Sequence, residues 1–507
     1  IGVFVTKFPA TDTTLQADRR PWILFALMLF MMLAAMDVTI VSTAVPQVVA
    51  DLGDFSLFTW VFSIYLLAQT VTIPVYGKLA DIYGRKPILL AGSLIFLASS
   101  AAAAAAWNMH SLIVFRGLQG LGAGAMMATI NTLAGDLYTI RERARIQGFL
   151  SSVWGIAAIA GPMLGGTFTE YASWRWIFLV NVPIGAVAII LLMVFLQEKI
   201  ERKQHNVDYL GSAAILAAVS TLILGLLEGG QAWPWLSKSS LAVFVLAALL
   251  IAVAVWTQRR AAEPIMPGWL WRHRSLAGAN LSMIGMGFIV MGPVAYLPTF
   301  AQSVYGLNAI AAGLVLAAMS LSWPTASALS GRLYLRIGFR NTALIGSILI
   351  CFAAALFLLL PYQAPIWTVA AIQVLIGAGF GLMSTSMLVG AQSSVDWNRR
   401  GVVTGANMFS RFLGQSLGVA VFGAIFNGSL AARLANPPAG LGEHLPTNMD
   451  SAITALQTSQ LGGAVEAYLR HTVFEATHDL YTGLLIMAVI TFIIVVVSPK
   501  HFGDARG

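Results

Sequence analysis

Residues 77–86 read Gly77-Lys78-Leu79-Ala80-Asp81-Ile82-Tyr83-Gly84-Arg85-Lys86, between two uncharged apolar stretches, Thr59 to Tyr76 and Ile88 to Ala106. Each flank is long enough to cross a bilayer as a helix. Three basic residues, Lys78, Arg85 and Lys86, assign the connection to the cytoplasmic side. Moving outward, apolar windows recur at about 22–45, 59–79, 88–107, 112–134, 147–168, 176–196, 209–227, 235–256, 276–300, 309–329, 342–360, 367–389, 402–426 and 480–498. Fourteen transmembrane helices are therefore expected.

Composition agrees with that reading. Hydrophobic residues make up 58% of the 507 and charged residues only 10%, against roughly 25% charged in soluble domains. An all-α integral membrane protein is expected, since runs near 20 residues are helices and not the short alternating strands of a barrel. The net charge of +8 reflects topology and gives no reason to expect a nucleic-acid partner. With the N-terminus cytoplasmic, 23 of the 29 Lys and Arg fall in inner segments and four in outer ones. Arg116 and Arg411 lie inside helices. This asymmetry orients the chain with both termini cytoplasmic, and no cleavable signal is expected. The lone Cys351 lies in an apolar run, and no metal or other cofactor motif is present.

An internal echo divides the chain. Gly331-Arg332-Leu333 through Gly338-Phe339-Arg340, then Gly346-Ser347, repeats Gly77-Lys78-Leu79 through Gly84-Arg85-Lys86, then Gly92-Ser93, at an offset of 254. The expected architecture is two six-helix bundles, 22–196 and 276–498, with an inserted helix pair at 209–256. Residues 429–479 read as an acidic outside loop opened by Pro437, Pro438 and Gly440.

The pattern Gly-x-x-x-Asp-x-x-Gly-Arg-Lys at 77–86 resembles the signature loop of the major facilitator superfamily of transporters. Arg116-Gly117-Leu118-Gln119-Gly120-Leu121-Gly122-Ala123-Gly124 resembles the fourth-helix signature of its proton-coupled members. Gly161-Pro162-Met163-Leu164-Gly165-Gly166 resembles the fifth-helix motif of its antiporters, with Ala157 where that pattern usually has a further glycine. Leu33 to Pro46 and Trp174 to Gly185 are similar to segments of the 14-helix drug:proton antiporters, and Ser410-Arg411-Phe412-Leu413-Gly414-Gln415 carries the likeness into the second half.

The resemblance implies alternating access with cytoplasmic-side gating by Gly77, Asp81, Gly84, Arg85 and Lys86; Arg411 is added as a second internal cation that either neutralises Asp37 or stabilises the closed gate. Asp37 lies roughly 22 Å along its helix from Trp22, and an ionisable group at that depth marks an ion or proton path. Arg116, at similar depth, is its expected partner, with outer-end backbone carbonyls as an alternative. Gly161, Pro162, Gly165 and Gly166 provide a bend and close packing. Candidate cargo contacts are Trp60, Tyr65, Gln69, Gln119, Trp323 and Phe409, with Met283, Met286, Met291, Met383 and Met387 as adaptable neighbours. Asp136 and Glu228 read as interfacial.

Together these residues point to a proton-coupled antiporter exporting lipophilic, cationic drug-like molecules across a bacterial plasma membrane as a monomer. The same scaffold exporting a lipid, siderophore or other amphiphilic metabolite is the alternative, and a non-transporting scaffold or receptor a further one. No metalloprotease, nucleophile-elbow or P-loop motif supports an enzyme or ATP drive.

Overall fold

The computed structural model describes residues 13–41, 44–52, 58–198, 209–229, 233–261, 264–307, 309–362, 364–435, 437, 463–500 and 502. Described secondary structure is helical apart from one isolated bridge between Gly229 and Trp233. The first part comprises α1 (Thr13–Val41), α2 (Val45–Leu52), α3 (Phe58–Tyr83), α4 (Arg85–Ala104), α5 (Met109–Leu137), α6 (Ile140–Tyr171), α7 (Trp176–Leu179) and α8 (Asn181–Phe195). Next come α9 (Tyr209–Glu228) and α10 (Lys238–Arg260). The last part comprises α11 (Trp269–Arg272), α12 (Arg274–Tyr305), α13 (Ala309–Ile337), α14 (Phe339–Leu358), α15 (Ile366–Ser393), α16 (Arg400–Leu434) and α17 (Gly463–Val497).

Helix starts follow from local chemistry. The Asn108 side chain accepts from the Ser111 amide at 2.8 Å to open α5. Glu142 accepts from the Thr139 amide at 2.9 Å to open α6, the reciprocal cap that satisfies first-turn donors. Gly84 before α4 and Gly338 before α14 have φ of 95° and 87°, a region costly to any residue with a Cβ. These glycines sit 254 positions apart, so the sequence echo returns as the same backbone turn.

The packing repeats as well. Helix α5 packs on α3 and α4, and α1 on α6; α15 packs on α13 and α14, and α12 on α16. The two sets meet where α6 packs on α13 and α3 on α16, while α9 packs on α10. Glycine makes the tightest crossings possible. A Cβ on Gly122 would lie 2.6 Å from the Gly92 carbonyl oxygen, and one on Gly346 would lie 2.6 Å from that of Gly379. Large apolar side chains such as Leu94, Ile190, Met193 and Leu249 are exposed on the outer surface, as a lipid-facing perimeter requires.

Thirteen helices among the described residues are long and apolar enough to cross a membrane. The remaining expected crossing falls on α9 (Tyr209–Glu228), whose apolar stretch Leu210–Leu226 is not counted among the thirteen. The expected loop 429–479 shrinks. Helix α16 continues to Leu434 and α17 already begins at Gly463, with the charged residues there paired between the two helices and along α17. Arg433 pairs with Glu475 at 2.7 Å and Asp479 at 3.0 Å, and Arg470 pairs with Glu466 at 2.7 Å. Pro438, Gly440 and the rest of 438–462 lie outside the described residues.

Replacing Gly122 with Leu should cost about 1–3 kcal/mol by overpacking and lower the Tm of the purified protein. Gly166→Ala, where no atom lies within 4 Å of a Cβ, should leave the Tm unlowered or raise it slightly in the same thermal melt, since Ala favours the helix over Gly by about 0.5–1 kcal/mol.

Candidate functional site

Three groups of ionisable residues lie inside the helix assembly. The first is a buried cluster around Asp37, whose exposure is 0%, against 1% for Arg116 and 0% for Gln119. Arg116 and Gln119 stand three residues apart on one face of α5, so both reach α1 together. The Arg116 guanidinium forms an ion pair with Asp37 Oδ2 through Nη1. Gln119 Nε2 donates to Asp37 Oδ1 at 2.9 Å, and Gln119 Oε1 accepts from Arg116 Nη1 at 2.8 Å. Arg116 Nε donates to the Val61 carbonyl at 3.2 Å, so both partners expected for it are engaged. The Tyr65 ring lies 4.3 Å beneath the guanidinium. Gln119 Nε2 also donates to Ser100 Oγ at 3.2 Å, which accepts from Asn181 Nδ2 at 3.0 Å. Tyr65 and Gln119, expected as cargo contacts, instead belong to this cluster because they supply the polar and π surroundings that a buried ion pair needs.

Gly161 of α6 packs against α1 two residues from Asp37. A Cβ there would lie 2.9 Å from Thr39 Cβ, and Thr39 Oγ1 donates to the Ala157 carbonyl at 2.9 Å. Gly165 is buried, while Gly166 has open space beside it. The bend expected at Pro162 falls on a residue whose side chain is outside the described set.

The second group closes the inner side. Asp81 of α3 accepts from the amides of Gly401 at 3.0 Å and Val402 at 2.8 Å. A carboxylate from one part of the chain thus caps the N-terminus of α16 in the other, where orphan N–H groups and the helix dipole favour negative charge. Arg85 Nη2 donates to Asp81 at 2.6 Å and to the Trp397 carbonyl at 2.9 Å, and its guanidinium stacks 3.7 Å from the Trp397 ring. Asp136 then bridges Arg85 Nε at 3.0 Å and Arg400 Nη1 at 3.1 Å. The backbones approach closely, since a Cβ on Gly77 would lie 2.6 Å from the Gly401 carbonyl oxygen.

The sequence reading missed three of these contributors. Asp136, expected to be interfacial, is 7% exposed because two arginines draw it inward. Arg400 counted only as a cytoplasmic charge. Glu198 accepts from the amides of Arg85 at 2.9 Å and Lys86 at 2.8 Å, capping α4. Each lies at a helix end, where acids and bases are common and usually face water, so no local signal set them apart. Lys86 does not join the contact between the two sets of helices. It donates to the Met193 and Leu196 carbonyls at 3.0 and 2.5 Å, at the end of α8.

Among the described residues the repeat carries no second carboxylate–arginine latch. Leu335 and Phe339 occupy the positions 254 residues beyond Asp81 and Arg85. At that crossing Gly331 meets Ala144, and the Tyr334 hydroxyl donates to the Ile140 carbonyl.

The third group is Arg411, which is not at the gate. Its guanidinium faces Trp323 at 5.1 Å, Phe412 at 5.9 Å and Trp154 at 6.0 Å. Trp60 lines a shallow crevice with Ser63, Leu67, Leu224 and Glu228. Gln69 and Phe409 are buried, as are Met283, Met286, Met383 and Met387.

The family model described as Major Facilitator Superfamily matches residues 27–419. The chain belongs to the major facilitator superfamily. This superfamily member is thus a multi-pass membrane transporter and not an enzyme. It is 31% identical to Multidrug transporter protein MdtP of Bacillus subtilis over 498 residues, covering 94% of this chain and 92% of that one. It is 30% identical to Multidrug resistance protein 3 of the same organism, covering 98% and 97%. Among solved structures it resembles the proton:xylose symporter XylE with a TM-score of 0.60 at 14% identity, covering 96% of this chain and 98% of that one.

The inner latch makes a measurable prediction. Asp81→Asn removes a charged cap and an ion-pair partner together, a loss of about 1–2 kcal/mol for the cap alone. In a Cys351→Ser background carrying Thr404→Cys, labelling by a membrane-impermeant thiol reagent should speed up at least tenfold. Unchanged labelling would rule out Asp81 as a gate residue.

Proposed function

We propose that this superfamily member is a proton-coupled antiporter that exports lipophilic, drug-like molecules from the cytoplasm by alternating access. The observation that carries this reading is the Asp37–Arg116–Gln119 cluster, a carboxylate buried inside the membrane with a permanent cation against it. In the conformation described, Asp37 is held by Arg116 and the inner side is latched by Asp81 and Arg85. A proton arriving from outside would neutralise Asp37 and release Arg116. Loss of that proton to the cytoplasm would restore the pair. A group whose two charge states prefer different partners can bias a two-state equilibrium.

Support also comes from the relatives, two of which are named as multidrug transporters or resistance proteins. The repeated packing of α1–α8 and α12–α17 suits two bundles, over 22–196 and 276–498, that rock about the α6–α13 and α3–α16 crossings, with 209–256 inserted between them. In this reading α9 supplies the fourteenth crossing. The protein works as a monomer in a bacterial plasma membrane with both termini cytoplasmic. Asp37, once freed from Arg116, would draw cationic groups of a cargo. With one such carboxylate, one proton exchanges for one monovalent cation without net charge movement, so each pH unit supplies about 1.4 kcal/mol.

Asp37→Asn in proteoliposomes should abolish dye efflux driven by an imposed pH gradient, while downhill dye movement without a gradient persists. Asp37→Glu should restore part of the coupled flux. Coupled efflux at the normal rate in Asp37→Asn would end the proposal.

A further inference from the structure

Arg411 is a cation inside the helix assembly that the proton cycle does not use. It lies about 16 Å along α16 from Arg400, near the middle of a hydrocarbon core roughly 30 Å thick. Among the described residues its guanidinium makes no ion pair or hydrogen bond, and its Nε is buried without a partner. What surrounds it is aromatic: Trp154 from α6, Trp323 from α13 and Phe412 from α16. Helices α6 and α13 meet at the crossing between the two sets of helices, so the cage is assembled from both.

Helices α12, α13, α15 and α16 contain no Asp or Glu, and the acids of α6 stand at its two ends, Glu142 and Glu170. Of the acids on the other helices that pack against α16, Asp81 and Asp136 are engaged by Arg85 and Arg400, and Glu466, Glu475 and Asp479 by Arg470 and Arg433, while Glu228 ends α9. Guanidinium does not deprotonate to escape the cost of burial. Aromatic faces offset only part of that cost. Other polar atoms near it on the chain are also unsatisfied: both amide atoms of Asn407, one helical turn before Arg411, and Ser410 Oγ. Asn407 is 0% and Ser410 1% exposed. On α12, which packs against α16, Asn280 Nδ2 is buried and unpartnered too. Water can satisfy an amide or a hydroxyl, but it cannot neutralise a guanidinium. Arg411 itself is only partly buried, so space remains beside it.

We infer that Arg411 and its aromatic cage bind the anionic group of a cargo, a carboxylate, sulfonate or phosphate attached to an aromatic or lipophilic body. The planar fork of the guanidinium suits two anionic oxygens at once, and the indoles of Trp154 and Trp323 suit a flat ring beside them. The inference rests on the exporter reading and extends its cargo from cations to molecules that carry an acid. An anionic lipid headgroup offers the same chemistry.

The test is binding, which needs no gradient and so stands apart from proton coupling. The full-length protein in phosphatidylcholine nanodiscs is titrated with a xanthene dye bearing a free carboxylate and with its methyl ester, read by quenching of tryptophan fluorescence. The carboxylate form should bind at least tenfold tighter than the ester. Arg411→Gln should erase that preference without changing ester affinity, and Arg411→Lys should keep part of it. An unchanged ester affinity in Arg411→Gln also shows that the variant is folded. If Arg411→Gln leaves the preference intact, or weakens both dyes equally, the inference is wrong. Repeating the titration with phosphatidylglycerol in the disc separates the sources. Competition in the wild type that vanishes in Arg411→Gln assigns the site to a lipid phosphate, and no competition assigns it to cargo.

Discussion

Arg85 and Arg116 head the large, fully buried side chains of this protein, and much of the interior is organised by the need to compensate them. A charge taken out of water into a helix bundle is tolerable only when oxygen atoms or π faces replace its hydration shell. Arg116 obtains Asp37, Gln119, the Val61 carbonyl and the Tyr65 ring. Arg85 obtains Asp81, Asp136, the Trp397 carbonyl and the Trp397 ring. These groups come from several helices each, so satisfying one guanidinium fixes the relative positions of α1, α3, α5 and α16. Arg411 is the exception that makes the rule informative, because its surroundings offer π faces and no oxygen anion.

The two compensated arginines differ in what their surroundings can do. Around Arg116 all named partners belong to α1 through α8, so the cluster lies within one set of helices. Around Arg85 the partners straddle the contact with α16, and the Asp81 carboxylate is spent on the amides of Gly401 and Val402. That contact is broken if the inner ends separate. Its counterpart at Gly331 and Tyr334 is held by packing and by uncharged acceptors, the Ile140 carbonyl for Tyr334, Ser393 Oγ for Arg143 and the Asn131 carbonyl for Gln392, so among the described residues the inner ends carry ion pairs on one side and none on the other.

Much of the fold was legible from residues 77–86 outward. Runs of apolar residues near 20 long, a skewed distribution of Lys and Arg, and the echo at 331–347 are one-dimensional signals of a periodic structure, and the turns at Gly84 and Gly338 follow from them. The loop after 429 was less legible. Ion pairs between Arg433, Glu475 and Asp479 join helices within a segment whose composition reads as solvated loop. In the candidate site, the pairing of Asp37 with Arg116 was foreseeable from equal depth. Asp136, Arg400 and Glu198 were not, since each lies at a helix end where acids and bases are common and usually face water.

What the sequence by itself determined is the membrane setting and the charges stranded mid-helix, Asp37, Arg116 and Arg411, because hydropathy and charge asymmetry act residue by residue along the chain. Which partner each charge found was decided only by tertiary structure. The glycine crossing at Gly77–Gly401 brings backbones close enough for a carboxylate on α3 to cap α16, and the close approaches of Gly161 to Thr39 and of Gly120 to Tyr65 seat α1, α3 and α5 where Gln119 and Arg116 meet Asp37. Those distances depend on helix rotation and depth to within an ångström or two, and no spacing rule along a single chain carries that information.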